Sequence, residues 1–276
     1  MSDYETINYH VQNRIAYLSL NRPPLNLITN KMVDEVGDAL LRFDLDDDAW
    51  VCIFYGENKC FTAGADLKSF TAFNVDKSEE EKRAGELAAL KAGHKSGSMN
   101  LRGTGGEGLL GRTVNYKPVI GAIHGYALGA GAHWTAECDL VVVSEDTQLA
   151  ITETTRGMSG SRTWAKIKTF MPSKLSTEML ITGRRASGKE LYEHGLANRL
   201  AENGKHLEVA EDLAKLVLAA PPLAARDGVR VSRKQWVNIT TDYDMQVQLT
   251  RLHETEDYKE AGRAFAEKRA PVFKAR

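Results

Sequence analysis

Two short segments carry residues suited to chemistry at a carbonyl group: 59–70, reading KCFTAGADLKSF, and 124–139, reading HGYALGAGAHWTAECD. Each places alanine and glycine where a hydrophobic run gives way to a turn and then a helix. Small residues leave backbone N–H groups uncovered, and the first turn of a helix already has unpaired donors at the positive end of its dipole. Two such turns brought together would form an oxyanion hole, the device that stabilises an enolate or tetrahedral intermediate. Read alone, either segment fits equally a helix packed closely on a strand, with small residues as spacers. Glu153, in QLAITETTRG, follows an apolar strand and reads from spacing alone as an acid/base group, a helix cap or a solvated charge.

The elements that must position these residues alternate between strand and helix. Ile15, Tyr17, Leu18 and Leu20 predict a strand closed by NRPP. Thr29 or Asn30 can cap a helix in which Met32, Val33, Val36, Ala39, Leu40 and Phe43 recur at helical spacing before the acidic stop DLDDDAW. The apolar run Trp50 to Tyr55 suits a strand covered on both faces. Val119 to Ile123 and Leu140 to Val143 predict two more strands, separated by a helix from Gly129 to Glu137. Between Asp76 and Thr113 a helix-favouring run leads into glycine-rich SGSMNLRGTGGEG, which reads as a mobile insert. Gly103, Gly105 and Gly108 spell GxGxxG there, but no strand precedes them as a dinucleotide site requires. After Gly204 the pattern is nearly all helical.

With 276 residues, 42% of them hydrophobic and 26% charged, the chain has material for one large core and a small appendage. The 36 basic and 37 acidic side chains nearly cancel, which removes any global field that would recruit nucleic acid or an acidic membrane surface. Cys52, Cys60 and Cys138 lie in or beside apolar runs without CxxC spacing, and read as core residues of a reducing compartment. The seven histidines, at 10, 94, 124, 133, 194, 206 and 253, are too scattered for a metal site. No signal-like or membrane-spanning run stands out, so cytoplasm is the expected compartment and a membrane partner is not expected.

In sequence and order the chain resembles the crotonase, or enoyl-CoA hydratase/isomerase, superfamily. The resemblance begins with LSLNRPPLN at 18–26 and includes AGAD at 63–66. It continues through KPVIGAIHGYALGAG at 117–131 and ITGRRASGKELYEHGLAN at 181–198, and ends in AFAEKRAPVFK at 264–274. It implies an α/β fold in which ββα units wind into a spiral of sheets over residues 1–203. A C-terminal helical region, 204–276, would serve trimerisation, giving a homotrimer or a dimer of trimers. No cofactor would be bound permanently, and coenzyme A would arrive as part of an acyl-CoA thioester substrate. The expected activity is addition of water to a 2-enoyl-CoA, or its cleavage or isomerisation, through a thioester enolate.

Carried over residue by residue, the resemblance assigns the oxyanion-hole donors to the N–H groups of Ala65 and Ala130, the latter standing where the family usually has glycine. Ala63, Gly64, Asp66 and Gly129 would line the CoA thioester. Glu153 falls on one of the family's two catalytic glutamates. His133 occupies the place of the other, and could form an acid/base pair with Glu153 or be a satisfied half-buried histidine. Glu137, one turn beyond, is in reach to fix its tautomer or to face solvent. GMSGSRTWAKI departs from the family's turn and brings Arg162 and Trp164 near the expected acyl pocket, where they would suit a carboxylate or an aromatic ring. Phe265 and Lys268 would complete the adenine site of a neighbouring subunit. Two alternatives follow from His133: a carbon–carbon bond hydrolase of diketones that uses no CoA, and a noncatalytic binding homologue.

Overall fold

The computed structural model describes residues 4–67, 114–233 and 252–275, together with Ser78 and Glu80. The expected insert between 76 and 113 lies almost wholly outside these residues. The chain opens with β1 (Ile7–Gln12) and β2 (Ile15–Leu20), followed by α1 (Asn30–Leu45) and β3 (Val51–Gly56). After β4 (Val119–Ile123) and β5 (Tyr126–Leu128) come α2 (Ala130–Glu137), β6 (Leu140–Ser144) and β7 (Gln148–Ala150). A 3-10 turn (Thr154–Arg156) leads to α3 (Ser161–Ile167), α4 (Ser173–Thr182), β8 (Ala186–Ser187), α5 (Gly188–Glu193), β9 (Arg199–Ala201) and α6 (His206–Ala219). Helix α7 is described over 222–233, and α8 spans Glu256–Ala266.

Local chemistry explains where these elements start. Thr29 caps α1 by accepting from Met32 N–H at 3.2 Å, and Ser187 and Thr255 cap α5 and α8 in the same way. Five of the six apolar positions predicted for α1 are buried, and Val33 is half-buried. The helix therefore lays one face on the sheet.

The strands form two sheets, and from β4 to β7 successive strands alternate between them. One has the order β1-β2-β3-β4-β6-β9, parallel except for the β1–β2 hairpin; the other has the order β5-β7-β8. Because β4 belongs to the large sheet and β5 to the small one, and β6 and β7 repeat that step, the chain advances as a spiral of strand-strand-helix units. Both faces of the large sheet are covered. Cys52 and Phe54 of β3 point into one core with α1, while Val51 and Ile53 join a second core closed by Ala210, Leu213 and Ala214 of α6. The three cysteines are buried and unpaired.

Candidate active site

The small sheet brings the two glycine-alanine turns together. Thr62 bridges in parallel to Ala127 of β5, and Ala65 bridges to Ile28. Contact at this seam is close. A Cβ on Gly131 would stand 2.6 Å from Thr62 Cγ2, and one on Gly64 would meet the Leu128 carbonyl oxygen at 2.7 Å. Gly64 also has φ +96°, a backbone region that side-chain-bearing residues rarely adopt.

Around the seam almost every backbone donor is used. Thr62 N–H donates to Tyr126 O (2.8 Å), Ala63 N–H to Leu25 O (3.0 Å), Gly64 N–H to Thr62 Oγ1 (3.1 Å) and Asp66 N–H to Ile28 O (2.8 Å). The N–H of Ala65 donates to no acceptor among the described residues. In the second turn Leu128 N–H reaches Thr62 O and Gly129 N–H reaches Ala150 O, after which Ala130 opens α2. As the first helical residue, Ala130 has no carbonyl one turn behind to take its N–H, and none of the described residues accepts it. The left-handed turn falls on Gly129, φ 54°, so alanine at 130 is accommodated in ordinary helical geometry.

Glu153 lies against the second turn. A Cβ on Gly129 would stand 2.9 Å from Thr152 Oγ1 and 3.6 Å from Glu153 Oε1. Glu153 as a whole residue is half-buried, yet its Oε2 is sealed from solvent and has no hydrogen-bond partner. Burial pushes its carboxyl up to about 7, against weaker opposing pulls from a backbone N–H and the Arg156 guanidinium. Arg156 N–H returns to Glu153 O at 2.9 Å, so the 3-10 turn starts on Glu153 itself.

His133 sits one turn into α2 and is 2% exposed. Its Nε2 faces Glu137 Oε1 at 3.4 Å and its Nδ1 faces Thr163 Oγ1 at 3.4 Å. Burial lowers its pKa, only partly offset by Glu137. Glu137 is buried and paired with Lys166 of α3. Burial alone would raise the Glu137 carboxyl, but Lys166 and then His133 hold it well below the usual carboxylate range. Residues 133 and 137 of α2 thus meet 163 and 166 of α3 in a buried polar clasp. Arg162 lies close enough for its charge to depress the pKa of both His133 and Lys166. Trp164 packs against the core with Lys168 Nζ 4.4 Å from its ring centroid.

The remaining predicted residues divide between two places. Ala63, Gly64 and Asp66 flank the first turn, and Asp66 is paired with Arg22 at 2.9 Å. Phe265 and Lys268, assigned from sequence to a neighbour's site, are exposed at the end of α8, which packs on this chain's own Glu153 loop. A Cβ on Gly157 would come within 2.8 Å of Tyr258 Cα, and the Phe265 ring centroid lies 4.8 Å from Arg156 Cζ. Sequence reasoning missed Arg156, Thr163 and Lys166. A signal for Arg156 existed: it stands three residues after Glu153, and residues three apart eclipse on a 3-10 turn. No cluster of three or more metal-ligating side chains occurs among the described residues.

A two-sheet spiral with this seam defines a class: the chain belongs to the enoyl-CoA hydratase/isomerase family, whose model matches residues 10–95 and 89–276. It is 31% identical to a carnitinyl-CoA dehydratase of Salmonella typhi, over 99% of both chains. It is 29% identical to a 2,3-dehydroadipyl-CoA hydratase of Escherichia coli, over 96% of this chain and 97% of that one. Among solved structures, a carnitinyl-CoA hydratase from Mycobacterium avium superposes with a TM-score of 0.75 at 26% identity, covering 98% of this chain and 99% of the other.

Proposed function

We propose that this protein is an acyl-CoA enzyme of the hydratase type, working through a thioester enolate. The observation that carries this reading is Glu153: a carboxylate with an unpartnered, solvent-sealed oxygen, lying against the turn that presents the Ala130 N–H. The thioester oxygen of a 2-enoyl-CoA would take hydrogen bonds from the N–H groups of Ala65 and Ala130. Ionised Glu153 removes a proton from water as the water oxygen bonds to C3, and the C2–C3 π electrons move onto the thioester oxygen as an enolate. Glu153 then returns the proton to C2. With no water in the site, the same carboxylate can move a proton from C4 to C2 and shift the double bond. A carboxyl group near pH 7 is matched to both transfers.

His133 has interior neighbours at both ring nitrogens, so in this reading it serves by tying α2, whose first N–H is a donor, to α3. No resident cofactor takes part; CoA enters and leaves with the substrate. Names of full-length relatives, a carnitinyl-CoA dehydratase and a dehydroadipyl-CoA hydratase, support polar acyl groups. Exposed Leu216, Leu223 and Val231 on α6 and α7 support association of the 204–276 region into a trimer or dimer of trimers. Exposed Phe265 and Lys268 would meet CoA. Three buried free thiols favour a reducing, cytoplasmic setting, and among the described residues no helix is long and apolar enough to cross a membrane.

The test is turnover of a panel of 2-enoyl-CoAs, with the corresponding free acids and diketones as controls, by the wild-type protein and Glu153→Gln. CoA-dependent turnover that the substitution abolishes is expected. Activity on diketones or free acids alone would overturn the proposal.

A further inference from the structure

Arg156 is a cation whose hydrogen-bonding capacity is mostly unspent. Its guanidinium is half-buried and carries five N–H donors. Among the described residues it has one hydrogen bond, from Nη1 to Thr152 Oγ1 at 3.4 Å, near the limit for such a bond. One face rests on the Phe265 ring at 4.8 Å. That contact leaves the planar edge of the guanidinium, where its donors lie, available. Among the described residues Glu153 is the acidic group whose charge bears on it, and no carboxylate lies within ion-pair distance. An arginine cannot shed its charge to escape burial. Holding it here with so few partners is costly unless something else completes the site.

Its place in the fold identifies the missing group. Arg156 follows Glu153 by three residues on the 3-10 turn, and its Nη1 lies 3.4 Å from Thr152 Oγ1, the atom that a Cβ on Gly129 would meet at 2.9 Å, which places the guanidinium beside the turn against which Glu153 lies. We propose that Arg156 is a specificity-determining residue that receives a carboxylate carried on the acyl chain, so that the preferred substrates are CoA monothioesters of unsaturated dicarboxylic acids. This rests on the acyl-CoA reading above. The phosphates of CoA are the other anions the substrate brings, and since Phe265 lies against Arg156 the comparison of two thioesters that share the same CoA is what separates them from an acyl carboxylate. Arg162, the arginine that the sequence suggested for this role, sits near enough to the clasp between α2 and α3 for its charge to depress the pKa of His133 and Lys166, whereas Arg156 is the arginine that follows Glu153 on its own turn.

The experiment compares kcat/KM for a 2-enoyl-CoA and its ω-carboxylated counterpart of equal chain length, in wild type, Arg156→Met and Arg156→Lys. A charge-assisted, two-pronged contact is expected to favour the carboxylated thioester by about 10- to 100-fold in wild type. Arg156→Met should remove that preference, lowering kcat/KM for the carboxylated thioester about 10- to 100-fold more than for the uncarboxylated one, since any change it makes to Glu153 bears on both. Arg156→Lys, which keeps the charge and loses the fork, should fall between them and serves as the test if the methionine variant does not fold. An equal loss on both thioesters would place Arg156 on the CoA phosphates or in loop structure and overturn the proposal; so would no selective loss in either variant. Wild type turning over both thioesters without preference would overturn this inference alone, whereas wild type that binds neither would overturn the acyl-CoA reading with it.

Discussion

Replacing Glu153 with glutamine should abolish turnover and at the same time stabilise the protein at neutral pH. The native state holds this carboxyl at about 7, against 4.5 for an ordinary glutamate. That gap corresponds to about 3 kcal/mol when the group is fully ionised in both states, and the residue's partial exposure lowers it to about 1–3 kcal/mol. The sign follows from which state holds the proton. Below pH 4.5 Glu153 is protonated whether the chain is folded or not, so it costs nothing. Between 4.5 and about 7 the unfolded chain ionises first, and native stability falls as pH rises. Above 7 the loss is complete and constant. Glutamine never ionises and escapes the penalty. Urea unfolding at pH 4.5 and pH 8, at one fixed protein concentration so that assembly cannot shift the midpoint, should show the two proteins close together in acid and the variant ahead in alkali. Turnover by the variant should drop about 100- to 10,000-fold. A variant that is less stable at pH 8, or ahead by the same margin at both pH values, would refute a carboxyl strained by burial.

The other predictions use the same kinds of measurement. His206, stacked on His124 at 4.3 Å between ring centroids, has its pKa lowered by burial to about 4, so stability should fall by up to about 3 kcal/mol as pH drops from 6.5 to 4; urea midpoints of His206→Leu should lose this acid limb. Gly129→Ala forces a side chain into φ 54° and against Thr152 Oγ1, displacing the Ala130 N–H, and kcat should fall about 100- to 1,000-fold; near-normal kcat would remove that donor from the mechanism. His133→Ala should lower hydration and α-proton exchange together, each by less than about tenfold, with a lower melting temperature. Deuterium exchange at C2 followed alongside product formation checks this, and loss of hydration alone would restore His133 to direct handling of water.

The longer elements of the fold were legible because each carries its own period or cap. Of the two caps the sequence offered, Thr29 and Asn30, the first is used and the i, i+3, i+4 pattern after it marks α1, and the apolar run at 50–55 announced a strand buried on both sides. The short strand β7 was announced by the apolar run before Glu153, but β5, β8 and β9 were not anticipated. Two or three residues give no periodicity, and these strands exist only because a partner strand lies beside them. At the site, the turns and Glu153 could be found because each stands at the end of a strand. The surroundings of His133 could not: its partner Glu137 was visible as an i+4 neighbour, but Thr163 and Lys166 come from another helix, and their approach is a property of packing. The same applies to α8 lying over its own chain's Glu153 loop, since an exposed amphipathic helix end reads alike whichever surface receives it.

The bridge between Thr62 and Ala127 also bears on how the molecule tolerates change. It closes a loop of about 65 residues, and the entropy of closure grows only with the logarithm of loop length, so doubling the loop would cost about 0.6 kcal/mol. The donor-bearing turns are fixed from outside that loop by Leu25, Ile28 and Ala150, whose carbonyls take the N–H groups of Ala63, Asp66 and Gly129. The geometry at 62–66 and 128–130 is therefore anchored by carbonyls that lie outside the span between Thr62 and Ala127. The N–H groups of Ala65 and Ala130 are thus positioned by the parts of the chain before 62 and after 127, so a change confined to the span between the two anchors removes none of the carbonyls at 25, 28 and 150 that hold the turns.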